Sequence, residues 1–160
     1  MKQLPHTLTC FVCGEANRRG FNLRSETDGR VVRVCFAFGP EHVGFKQTVH
    51  GGLTATVLDE IMTWACVVGT RRFAYCGELN VRYLHTIRPS QSLVATAELV
   101  SNRRGRIFEA KAEMRDETGK VLAGAVGKYL PLKDTDAAEM TADFLGDLGW
   151  LLAPPTEPPA

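Results

Sequence analysis

The stretch His50–Gly69, HGGLTATVLDEIMTWACVVG, decides how the rest of the chain must fold. Apolar side chains fall at 53, 57, 58, 61, 62, 64, 65, 67 and 68. At ~3.6 residues per turn they cover nearly the whole circumference, which predicts a buried helix. Asp59 and Glu60 are the sole charged side chains between His50 and Arg71. A carboxylate in a buried helix is costly unless it is paired or used. Each therefore either meets a nearby Arg, points to solvent or performs chemistry. His50-Gly51-Gly52 opens the helix. Glycines there bare backbone N–H groups at the positive end of the helix dipole, a setting suited to a carbonyl oxygen that turns negative in a transition state. The same glycines would also serve as a cap or permit close packing.

Outward from the helix the period changes to two. Leu79, Val81 and Tyr83 alternate with Glu78, Asn80 and Arg82. Leu93, Ala95, Ala97 and Leu99 alternate with Val94, Thr96 and Glu98, and Phe108, Ala110, Ala112 and Met114 with Glu109, Lys111, Glu113 and Arg115. These are half-buried strands with one solvated face. Val121–Leu130 is apolar on both faces and reads as a central strand. Turns at Arg103–Gly105 and Asp116–Gly119 make neighbouring strands antiparallel. Before the helix, Asp28-Gly29 turns into a strand at Val31–Phe38, closed by Gly39-Pro40. After the strands, Met140, Phe144 and Leu148 recur at helical spacing and predict a second helix from Asp134 to about Leu148. The chain thus divides into an irregular segment 1–20, one domain at 21–132, a helical extension at 133–153 and a proline-rich tail at 154–160, expected to be disordered.

This order is satisfied by an α+β fold in which one antiparallel sheet wraps one long helix. One sheet covers part of a helix that is apolar all round, and a second copy of the chain is the economical cover for the rest. Gly51 and Asp59 are eight residues apart, roughly 12 Å along a helix at ~1.5 Å per residue. One reacting carbonyl cannot touch both within a chain. Two helices packed antiparallel about a two-fold axis would bring Asp59 of one chain toward Gly51 of the other.

Composition narrows the partners. The chain has 160 residues, 44% hydrophobic and 23% charged, with a formal net charge of +1. That balance lacks the basic excess of a nucleic-acid binder or a membrane-surface helix. Met1–Cys13 has one early Lys and no apolar run, so a secretory signal is not expected. Leu53–Val68 reads as too short and too charged in the middle to span a bilayer. Five scattered cysteines predict reduced thiols in a cytoplasmic setting.

The residues just quoted carry a family resemblance. His50-Gly51-Gly52-Leu53-Thr54-Ala55-Thr56-Val57-Leu58-Asp59-Glu60 resembles the PaaI-type, phenylacetate-pathway branch of hotdog thioesterases. Glu78-Leu79-Asn80-Val81-Arg82-Tyr83 followed by Arg88-Pro89 looks like the next strand of that branch. Cys10-Phe11-Val12-Cys13-Gly14 with Asn17 and Gly20 is similar to the opening of one bacterial subgroup. The likeness covers roughly 10–132 and implies a hotdog fold, to which the C-terminal helix read from its spacing is added, a homodimer or homotetramer with the site at the dimer interface, and hydrolysis of an acyl-CoA. It implies Asp59 as nucleophile or general base, Gly51 as the amide that polarises the thioester carbonyl, and His50 as the residue that orients the loop. Two positions depart from the pattern. Gly44 stands six residues before His50, where many members carry Asn. Cys76 stands four before Asn80, where many carry Ser or Thr, and a thiol is the poorer hydrogen-bond partner. Glu60, Glu41 and His42 are the candidates to substitute.

Further candidates are weaker. Arg103, Arg104 and Arg106 cluster at a turn and either solubilise it or hold CoA phosphates; Arg71 and Arg72 are an alternative. Gly52, Gly44 and Asn80 join the expected substrate contacts. Trp64, Met62 and Phe73 are either core or acyl-pocket lining. Cys10 and Cys13 form one CxxC, but zinc wants four ligands, and no spacing recommends His6, Cys35 or His42 to complete them. No metal or cofactor is expected. Two other readings remain: an acyl-CoA-binding hotdog protein without turnover, and a hotdog hydratase, whose Asp-His motif is absent from this helix.

Overall fold

Alternating small and branched residues explain how a sheet closes on the helix. A computed structural model describes residues 1–153; the expected tail at 154–160 lies outside the described residues. In chain order the elements are β1 Lys2–Gln3, β2 His6–Thr7, β3 Glu26–Thr27, β4 Val31–Phe36, a 3-10 turn at Pro40–His42, β5 Val43–Phe45, β6 Thr48–Val49, α1 Gly51–Thr70, β7 Ala74–Tyr83, β8 Leu93–Arg103, β9 Ile107–Asp116, β10 Val121–Pro131, α2 Asp134–Thr141, β11 Phe144–Leu145 and α3 Gly149–Leu152. The main sheet runs β1-β3-β4-β8-β9-β10-β7, and all its pairings are antiparallel.

One row of the sheet shows the logic. Val32 lies opposite Ala97, Ala97 opposite Ala112, Ala112 opposite Ala125 and Ala125 opposite Val81. Short side chains across five strands let the helix approach, and Val32, Ala97, Ala112 and Ala125 are all buried. Against them α1 buries Val57, Leu58, Ile61, Met62 and Ala65. Full burial of such aliphatic side chains stabilises the fold by about 1.5–3 kcal/mol each. At 20 residues and a mean hydropathy of 1.2, α1 is longer than the stretch read from the sequence and is long and apolar enough to cross a bilayer; 56% of that stretch is buried inside the protein, as for a core helix.

Three expectations need correction. β10 is paired on both sides but lies next to the sheet edge, and its Val126 is 58% exposed, so one face is open. The helix expected at 134–148 breaks after Thr141. Asp143 leaves the helix because its Oδ2 accepts hydrogen bonds from the Thr9 amide and hydroxyl at 3.2 and 2.6 Å. Phe144–Leu145 then pairs with β2, and Gly146 turns the chain at φ +97°. Met140, Phe144 and Leu148 all still pack on the core, so the periodicity marked burial correctly and continuity wrongly. Finally, the chain covers part of its own helix. Trp64 packs edge-on against Phe144 at 5.8 Å, and Arg71 donates to the Leu151 carbonyl at 3.1 Å. The first half of α1 keeps an open flank, where Gly52 is exposed and Ala55, Thr56 and Asp59 are half-buried.

Candidate active site

The start of α1 is fixed by its neighbours. His50 is the N-cap, and its Nδ1 accepts the Gly52 amide at 3.0 Å. First-turn amides have no intrahelical acceptor, so the Gly51 N–H is the amide His50 leaves available. Across from it the Tyr83 hydroxyl donates to the Gly51 carbonyl at 2.9 Å. A groove of about 330 Å³ opens beside these groups, lined by Thr48, Gly51, Thr54, Tyr83 and His85 among others. Gly44 explains one departure from the family pattern. A Cβ there would lie 3.1 Å from the His50 Cα and ring, so in this chain an Asn would crowd His50 and shift it by a few tenths of an ångström.

Two turns further on, Asp59 meets the sheet. The Tyr129 hydroxyl donates to Asp59 Oδ1 at 2.8 Å. Tyr129 is fully buried on β10. Burial, and then the Asp59 charge, push its phenol well above the ordinary range, so it stays a donor throughout. Cys76 on β7 lies beside the same pair; burial first and the Asp59 charge second push its thiol up to about 11. Cys76 is thus protonated at neutral pH, and its S–H can donate toward the carboxylate.

Glu60 does not share that site. Trp64 Nε1 donates to its Oε1 at 3.2 Å, and the Cys10 Sγ lies 3.9 Å from its Oε2. Burial pushes its carboxyl up to about 7. Glu41 and His42 are occupied elsewhere. His42 Nδ1 accepts the Gly39 amide at 2.8 Å, its Nε2 lies 3.5 Å from Glu41, and its ring packs on Phe21 and Phe38. Asn80 is exposed on β7 opposite Val126.

Arg103, Arg104 and Arg106 are exposed at the β8–β9 turn. Arg103 pairs with Glu109 at 2.7 Å, and Arg72 ties the turn to the C-terminal end of α1 through the Gly105 carbonyl at 3.0 Å. Within one chain that cluster stands at the opposite end of the helix from Gly51. Nearer the Gly51 groove are Arg88, Lys120 and the His85 imidazole, which line an adjoining hollow. Trp64 and Phe73 do line a cavity, on the Glu60 flank, while Met62 is core. The sequence reading missed Tyr129 and Tyr83. The available signal was a Tyr on an otherwise apolar strand, whose hydroxyl needs a partner when buried.

Sheet topology and the long central helix together define a hotdog fold. Residues 46–123 match the family described as the thioesterase superfamily. Human acyl-coenzyme A thioesterase 13 is 30% identical over 84 residues, 52% of this chain and 60% of that protein. The chain therefore spans less than two thirds of the curated relatives it matches. A crystal structure of a thioesterase superfamily protein superposes with a TM-score of 0.70 at 25% identity, covering 76% of this chain and 59% of that one. The PaaI protein from the Escherichia coli phenylacetic acid degradation operon gives 0.63 at 18% identity, covering 70% and 80%.

Proposed function

We propose that this chain hydrolyses an acyl-CoA or aroyl-CoA thioester to the free acid and CoA. The observation that carries the reading is Asp59: a carboxylate held by the buried Tyr129 hydroxyl on the half-open flank of the helix whose N-terminus presents the Gly51 amide. Asp59 either attacks the thioester carbonyl or takes a proton from the attacking water. The Gly51 amide and the helix N-terminus stabilise the oxyanion. Collapse expels the CoA thiolate, which takes up a proton; where Asp59 is the nucleophile, water then hydrolyses the acyl–Asp59 anhydride, releasing the free acid and restoring the carboxylate. The step needs no metal or cofactor.

The reading includes a homodimer or homotetramer, because Gly51 and Asp59 lie roughly 12 Å apart along the helix. The open edge of the sheet supports it. β7 is an edge strand of ten residues, while the other edge, β1, has two. A long unpaired edge bordered by exposed Tyr75 and Tyr83 favours pairing with a second copy. The CxxCG opening favours the bacterial PaaI-type subgroup, and five free cysteines suit a cytoplasmic setting. Release of free CoA thiol from acetyl-, medium-chain, long-chain and aromatic CoA esters tests the activity. If no ester is hydrolysed by protein that binds them, the chain is an acyl-CoA-binding hotdog protein instead.

A further inference from the structure

On the Glu60 flank of α1, two thiols and a carboxylate from distant parts of the sequence converge. Their ligand atoms, one each from Cys10, Cys13 and Glu60, all lie within 4.8 Å of one another. We infer that these three residues bind one thiophilic divalent cation of the zinc class, with an open coordination position facing the adjoining cavity.

The loop that presents the thiols is rigidly built. Gly14 donates its amide to the Cys10 carbonyl at 2.9 Å, and a Cβ on Gly14 would lie 2.2 Å from that oxygen. The turn therefore demands glycine, which accounts for the CxxCG spelling. Backbone bonds from Phe21 to Phe11 and from Leu23 to Val12 hold the loop's other side at 2.9 and 2.8 Å. Arg24 donates to the Cys13 carbonyl at 2.8 Å.

The carboxylate is oriented as well. Trp64 occupies Oε1 and leaves Oε2 directed at the thiols, the outer-shell support that fixes a metal ligand. Among the described residues no Lys, Arg or His forms an ion pair with Glu60. Two basic side chains of the same N-terminal segment are committed elsewhere: Arg24 bonds the Cys13 and Leu23 carbonyls, and His6 pairs with Glu15 at 2.9 Å. A half-buried carboxylate without a counter-charge beside two thiols is a set that a cation completes.

Two sulfurs and one carboxylate oxygen select zinc over magnesium or calcium. With zinc–sulfur bonds of ~2.3 Å, ligand atoms sit ~3.7 Å apart, so the trio closes by roughly 1 Å at its widest. Three protein ligands leave a fourth position. It faces a cavity of about 340 Å³ lined by Trp64, Val67, Phe73 and Phe144, which fits water or a small molecule with one donor atom on an apolar body. The cation stands apart from the Asp59–Tyr129 pair and takes no part in the thioester step.

Cobalt(II) titration of the reduced, chelator-treated chain under anaerobic conditions tests the site. One equivalent should give a thiolate-to-cobalt charge-transfer band with the intense visible bands of a four-coordinate ion, and zinc should displace it. Cys10→Ser and Cys13→Ser should each lose most of the band. Glu60→Gln should keep a thiolate band and bind at least ~10-fold more weakly. Asp59→Asn and Cys35→Ser should titrate like the parent. The absence of a thiolate band in folded parent protein would overturn the inference, as would a band that survives loss of either cysteine. Unchanged affinity in Glu60→Gln would overturn the assignment of Glu60.

Discussion

At the scale of single residues, a carboxylate and the phenol that holds it form the centre of the proposed site. The Tyr129 hydroxyl is the direct hydrogen-bond donor to Asp59 Oδ1. Tyr129→Phe should therefore cost about 1.5–3 kcal/mol of stability, the range for a hydrogen bond to a charged group. It should also lower turnover, because the freed carboxylate samples other rotamers. Denaturant melts and kcat of the variant check both effects. A variant as stable and as fast as the parent would make the pair incidental. Asp59 was legible in the sequence because a charge inside an apolar helix stands out. Tyr129 was not, since the contact spans 70 positions and depends on how β10 is laid beside the helix. The Cys10–Glu60 approach spans 50 positions and was hidden for the same reason.

At the scale of elements, local signals were read well where they are local. The alternation in β8 and β9 follows from burial on one face, and α1 and β10 were legible from their length and apolar content, all to within a few residues. The break between α2 and β11 was not, because it depends on Asp143 reaching Thr9 across the molecule. The start of α1 gives a sharp test. Gly44→Asn restores the residue many family members carry, yet here it would push against His50. The expected result is a loss of about 1 kcal/mol from the disturbed helix cap and lower activity. Higher activity would mean that the groove rearranges readily. The β9–β10 turn offers a pH test. Asp116 accepts from the Thr118 amide and hydroxyl and the Lys120 amide at 2.9, 2.6 and 3.0 Å. The Thr118 hydroxyl above all holds its carboxyl below the ordinary value. A depressed pKa adds stability above the unfolded value and loses it as pH falls through the folded one. The melting-temperature gap between the parent and Asp116→Asn should therefore shrink as the solution is acidified below the ordinary carboxylate range. A gap that is constant with pH would assign the effect to packing.

At the scale of the whole molecule, the separation of Gly51 from Asp59 makes assembly part of the proposed mechanism. α1 is covered by the sheet on one side and by the chain's own termini along its second half, so the proposed partner would cover the first half. The proposed interface would then run along the β7 edge and the open flank of α1. Specific activity should fall on dilution below the dimer dissociation constant, in step with the loss of dimer measured by light scattering. Constant specific activity in a demonstrable monomer would refute the shared site. The spacing in HGGLTATVLDE carried this inference from sequence, whereas the extent of self-covering by residues 1–20 and 140–152 came from the structure.

The most direct measurement is free CoA thiol release from the ester panel by the parent and by Asp59→Asn at matched concentration. An Asn can still accept the Tyr129 hydrogen bond, so the variant should keep the parent's melting temperature and oligomeric state. Turnover of at least one ester should fall by ~100-fold or more, as expected for loss of an acid–base or nucleophilic group. An Asp59→Asn protein that retains most of the parent's rate would contradict the assignment of Asp59 and the mechanism built on it.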